Sequence, residues 1–209
     1  MKYAWILAGL ALAVTLPAQD FESKVRELVK QYGRGSDEEL RLRLIDIGDQ
    51  DSVIRRYDFD RLTEAQQRMI TDQIKAADRL TSAQLKEIVA EKGWPTIKMV
   101  GVQACEDAIR VLVHSPDREF QKSLAARLEK LANAGEILGT NLAPMIDTLL
   151  RAEGKPQRYG TQFTAKGSKA TIDPVEDPDK LDERRSAWLL PPMSEYKRDL
   201  MGLYRLQVE

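Results

Sequence analysis

The chain has 209 residues, 43% of them hydrophobic and 31% charged, which is the balance of a globular protein rather than a disordered or membrane-embedded one. Its 32 basic and 33 acidic residues nearly cancel. That leaves no net field to hold a nucleic acid or an anionic membrane, so nucleic-acid binding is not expected.

Residues 1–18 have the pattern of a secretory signal. Lys2 supplies the charge, an apolar run from Ala4 to Leu16 follows, and Pro17-Ala18-Gln19 offers a cleavage site after Ala18. The apolar run is too short to span a bilayer, which takes about 20 residues. A soluble secreted or periplasmic protein is therefore expected, without stable membrane insertion after cleavage. The remaining sequence divides into an N-terminal helical segment at 19–61 and a larger helical domain at 62–209.

One cysteine and one histidine narrow the chemistry. Cys105 can form no intramolecular disulfide, and its apolar neighbours suit a buried, inert thiol. With His114 alone, neither a multi-histidine zinc site nor HExxH exists, and no EF-hand spacing appears, so no metal and no cofactor are expected.

Hydrophobic spacing predicts a mainly α fold, an antiparallel multi-helical array with a small β-hairpin near the C-terminal third. Phe21, Val25, Leu28, Val29 and Tyr32 form the first helical stripe, closed by Gly33 and Gly35. Ser36-Asp37-Glu38-Glu39, Thr63-Glu64-Ala65-Gln66 and Thr81-Ser82-Ala83-Gln84 each read as a capping box opening a helix. The charged stretch from Asp49 to Asp60 reads as a connector. Trp94-Pro95-Thr96 interrupts the array, because a residue before proline avoids helical geometry. Gly101 to His114 then forms a helix whose polar strip, Gln103, Asp107, Arg110 and His114, is a solvent face or the wall of a cleft. Ser115 caps the next helix, which buries Phe120, Leu124, Leu128 and Leu131, with Gln121 at the stripe's edge. Asn141 caps a further one, where Asp147 sits beside Met145, Ile146 and Leu149.

Helix gives way in GKPQRYGTQF, Gly154 to Phe163. Pro156 forbids helix, and Gln157, Tyr159, Thr161 and Gln162 give the stretch an unusual density of amide and hydroxyl groups. Arg158 to Thr164 and Lys169 to Ile172 are expected to pair as the hairpin. DKLDERRSAWLL reads as a charged solvent face, and Ser194 opens a last helix.

Several of these motifs together resemble a bacterial family of unknown function. They are GWPT at Gly93 to Thr96, Val100-Gly101, His114-Ser115 with Asp117, Phe120-Gln121, Asp147, GKPQRYGTQF, EDPDKLDERR and Pro191-Pro192 followed by Glu195-Tyr196. The similarity runs from Leu62 to Tyr196 and departs from the family pattern at Val113 and Thr148. It implies candidate positions but no reaction.

Two functional classes stay open. In one, the groups form a polar ligand-binding site, with Gln121, Gln157, Tyr159, Thr161 and Gln162 as ligands' partners, or a structural and interaction network. In the other, His114 is a general acid or base oriented by Asp147 in a cell-envelope hydrolase acting on a peptide or glycan. Partners would be a polar small molecule, a peptide or a glycan. In either case the polar loop is expected to lie against the helices bearing His114, Gln121 and Asp147. Intact-mass measurement on protein from the native host should show loss of residues 1–18, whereas full-length protein in the cytoplasm would reject export.

Overall fold

The structure is a computed structural model that describes residues 18–204 and 207–208. Residues 1–17 of the expected signal lie outside that range. The fold is mainly α. The helices are α1 (Ala18–Tyr32), α2 (Glu38–Val53), α3 (Glu64–Lys92), α4 (Ile97–His114), α5 (Arg118–Asn133), α6 (Ala143–Ala152), α7 (Leu181–Ala187) and α8 (Met193–Tyr204). The short strands are β1 (Phe163–Lys166), β2 (Lys169–Ile172) and β3 (Gln207–Val208). Two compact units result, a helical one over 25–137 and a C-terminal one over 138–209 together with the residues up to Lys24.

In the helical unit, α2 packs chiefly on α4 and also on α3. Its buried stripe is Leu40, Leu44, Ile47 and Asp51, so the helix runs four residues past the start of the expected connector at Asp49 and carries an aspartate inward. The cap is Asp37, whose carboxylate accepts the Leu40 N–H at 3.0 Å, and not Ser36. Thr63 and Gln66 do form the reciprocal capping box that opens α3.

The third expected box does not start a helix: α3 is continuous through Thr81 to Gln84. Nothing between Glu64 and Lys92 breaks a helix, and the Thr81 hydroxyl is used internally, donating back to the Ala77 carbonyl at 3.0 Å. Ser115 likewise leaves the capping of α5 to Asp117 and instead shares a 2.6 Å hydrogen bond with Ser82. Leu142 precedes α6 without a side-chain cap, so Asn141 does not fill that role.

Helix α4 starts one turn earlier than its periodicity suggests and kinks at Gly101, where φ is 76° and ψ is 172°. Here the chain between α1 and α2 crosses α4 at backbone contact. The Ser36 and Asp37 amides donate to the Lys98 and Met99 carbonyls at 3.2 and 2.8 Å. A Cβ on Gly35 would stand 2.4 Å from the Met99 carbonyl oxygen, and Gly35 holds φ at +80°. Only glycine meets both demands. Cys105, Ala104 and Ala108 lie fully inside, and burial, with the Glu106 charge, pushes the Cys105 thiol well up, as an inert core thiol requires.

In the C-terminal unit β1 and β2 form an antiparallel hairpin, pairing Phe163 with Ile172 and Lys166 with Lys169 around a turn at Gly167. The paired segment thus begins at Phe163 and not at Arg158, because the residues before it are held by other bonds. β3 adds in parallel to β2. Among the described residues, no helix is long and apolar enough to cross a membrane.

Gly35→Ala should lower stability by upward of about 2 kcal/mol, since it adds left-handed strain to a backbone clash. Urea unfolding monitored by helical circular dichroism would measure it, and an unchanged midpoint would contradict the crossing.

Candidate functional site

The polar loop after α6 is built around one carboxylate. Asp147, on α6, is 0% exposed. It accepts the Arg158 N–H at 2.7 Å, the Tyr159 N–H at 3.0 Å, the Thr161 N–H at 2.9 Å and the Thr161 hydroxyl at 2.8 Å. Burial pushes its carboxyl upward, opposed by these amides and the Thr161 hydroxyl, and leaves it above the ordinary aspartate value. A helix cannot follow Ala152, because Gly154 takes φ +71° and Pro156 has no amide to give. The chain turns back over its own helix and finds in Asp147 an acceptor for three free amides within four residues.

Gln157 completes the loop from within. Its Oε1 accepts the Gln162 N–H at 2.8 Å, while Nε2 donates to the Gln162 and Asp173 carbonyls at 2.9 and 2.8 Å. The side chain thus stands in for a strand neighbour, joining residue 162 to the segment beside Val175. Gln162 donates to the Thr161 hydroxyl at 3.1 Å and towards the Pro144 carbonyl at 3.4 Å.

Tyr159 stacks on Trp188, with ring centroids 4.2 Å apart. Trp188 in turn lies on Gly139, where a Cβ would come within 2.2 Å of the indole. Arg185, 1% exposed, donates to the Tyr159 carbonyl and, at 2.6 Å, to the Pro191 carbonyl. Its guanidinium lies 4.8 Å from the centroid of the Tyr196 ring, whose hydroxyl donates to the Thr161 carbonyl at 2.8 Å. Asp147 and Arg185 therefore hold opposite ends of the Tyr159 backbone. The charged run containing Arg185 is no solvent face at that position. Burial lowers the Arg185 pKa, against the pull of Tyr196, Asp182 and Asp147.

His114 and Gln121 find their partners in the helical unit. Gln121 is buried and donates to the Leu112, Val113 and Ser115 carbonyls at 2.9, 3.2 and 3.2 Å, closing the open end of α4. Arg118 donates to its Oε1 at 3.0 Å. His114 Nδ1 lies 2.9 and 3.0 Å from the two oxygens of Asp51, which is 0% exposed. The carboxylate beside His114 is thus Asp51 of α2, and Asp147, expected there, serves the loop. Asp107, Arg110 and His114 of the polar strip of α4 face α2, whereas Gln103 is exposed. Arg110 donates to Asp51 at 3.1 Å, to Asp107 at 2.6 Å and to the Gly48 carbonyl at 2.9 Å. Arg55 donates to Asp51 at 2.9 Å and also pairs with Asp78.

The carboxylate of Asp107 is raised by burial and pulled back by Arg110. Burial also acts upward on Asp51, but the His114 hydrogen bond and the charges of His114, Arg55 and Arg110 outweigh it and leave Asp51 below the ordinary aspartate value.

Of the candidate ligand-binding side chains, Gln157 alone borders the open cavity of about 330 Å³ beside the loop, with Arg151, Lys155, Thr164 and Asp173 among its other walls. Both cations there are already engaged, Arg151 with Asp173 at 2.9 Å and Lys155 with Glu153 at 2.8 Å. Among the described residues no group of three or more histidine, cysteine or acidic side chains is placed to hold a metal ion.

Because Asp51 sheds its proton more readily folded than unfolded, it adds stability above about pH 4 that disappears as pH falls through its folded value. Asp51→Asn should therefore flatten the fall of the unfolding midpoint below about pH 4. An unaltered acid limb would show that the carboxylate carries no such linkage.

A model described as a family of unknown function (DUF6624) matches residues 38–209. Neither a curated protein nor a solved structure matches the chain.

Proposed function

The chain belongs to that family of unknown function, and we propose that it works outside the cytoplasm as a structural and interaction domain whose signature loop is scaffold. The observation that carries this reading is the consumption of the loop's polar groups by one another. Asp147 takes four donors, and Gln157 uses both its oxygen and its nitrogen on main chain. An amide intended for a ligand needs a free donor or acceptor facing a cavity, and here those capacities are spent on main-chain groups that would otherwise be orphaned.

The hydrolytic alternative rests on a different observation, the Asp51–His114 pair. Given a bound peptide or glycan, His114 would take a proton from water as the water oxygen attacks the scissile centre. It would then return that proton to the leaving group, with Asp51 remaining ionised throughout. No GxSxG nucleophile motif occurs in the sequence, so water is the nucleophile this chemistry would use.

Asp147→Asn separates scaffold from binding site. An asparagine keeps the shape but replaces one acceptor oxygen with a donor aimed at donors. As scaffold, the substitution should remove about 2–4 kcal/mol of stability by urea unfolding. Wild-type stability in the variant would overturn the scaffold reading. For the alternative, peptide and glycan substrates would be assayed for released ends with the wild type and His114→Asn, and turnover that depends on His114 would establish it.

A further inference from the structure

We infer that the structure contains a poised proton acceptor, His114 Nε2, with Asp51 as its positioning residue, suited to a ligand or water that presents an O–H or N–H. The inference deepens the hydrolytic alternative above and rests on it only for its use in turnover.

Three features of the helical unit lead there. First, an ionised carboxylate can only accept, so the proton shared by Asp51 and His114 belongs to Nδ1. In the neutral ring that places the lone pair on Nε2. Second, Asp51 cannot swing away. Arg55 holds Oδ1 and Arg110 holds Oδ2, at 2.9 and 3.1 Å. Each arginine is itself anchored by a further carboxylate, Asp78 from α3 and Asp107 from α4. The charged groups around the pair are thus Asp49, Asp51 and Arg55 from α2, Asp78 from α3, and Asp107 and Arg110 from α4, Asp49 acting through its charge on Asp107. Third, the ring keeps an open edge. Among the described residues none bonds Nε2, and the side chain is 8% exposed.

A histidine whose Nδ1 is fixed by a carboxylate and whose Nε2 is unbonded has the arrangement that proton transfer needs, a base oriented by a third group.

His114 is the one histidine of the chain, so the full-length protein reports on it without ambiguity. Long-range ¹H–¹⁵N correlation spectra of the neutral ring should show Nδ1 protonated and Nε2 bare. Diethylpyrocarbonate should place a carbethoxyl group on His114 in the folded protein, at a rate that Asp51→Asn lowers severalfold. A ring protonated on Nε2, or an adduct that forms only after unfolding, would overturn the inference. Should Asp51→Asn fail to fold, the wild-type tautomer and adduct decide the matter alone. A protein that passes both measurements and yet cleaves no peptide or glycan would end the hydrolytic reading while leaving the proton-accepting site established.

Discussion

A carboxylate buried in an apolar setting is costly unless donors surround it, and the C-terminal unit is arranged to supply them. Asp147 sits among Met145, Ile146 and Leu149 on the inner side of α6. From that position it collects the Arg158, Tyr159 and Thr161 amides, which no regular element claims. The requirement is mutual, since the loop cannot bury its free amides without an acceptor. Gly160 lies in the middle of the wrapped segment at φ +68°, and a Cβ there would come within 2.3 Å of Met193. The signature glycine is thus fixed by its backbone conformation, since the Met193 methyl is the movable end of a flexible side chain.

A second buried carboxylate organises the helical unit by different means. Asp51 draws on side chains where Asp147 draws mostly on main chain, so its partners are Arg55 of α2 and Arg110 and His114 of α4. Three main-chain amides and one hydroxyl tie Asp147 to the wrapped segment. Side-chain donors leave the Asp51 cluster with one titratable partner and one unbonded nitrogen. The two carboxylates also move in opposite senses from their ordinary value, up for Asp147 and down for Asp51, because burial wins at the first, and the His114 hydrogen bond with the neighbouring charges outweighs it at the second.

The sequence made the helices legible wherever apolar spacing and caps agreed, as at Thr63 and through the core of α4. It misled where polar residues had a tertiary use. Thr81-Ser82-Ala83-Gln84 has the composition of a capping box, yet Thr81 bonds its own helix and Ser82 reaches Ser115. Within the candidate site, the partnership of Asp147 with the loop was legible, since a mid-helix aspartate among apolar neighbours needs a partner and the loop needs acceptors. Two members were missed for one reason. Asp51 continues the inward spacing of Leu40, Leu44 and Ile47, and Arg185 lies between Leu181 and Trp188 on a buried face, so helical position could have found both. Charge argued the other way, and nothing local reveals that distant partners will compensate it.

The grip of Arg185 on the Tyr159 carbonyl has a temporal side. Peptide groups at 159 and 161 are held by side chains 26 and 35 positions further along the chain. When the loop leaves the ribosome it can meet Asp147 at once, but its carbonyls must wait for α7 and α8. Such sequence-distant closure is slow compared with helix formation. The loop therefore becomes rigid only once α7 and α8 are in place, although it precedes both in the chain. Until then its aromatic ring and carbonyls lack the partners that cover them in the finished fold, and such a segment is open to proteases and to association with other chains.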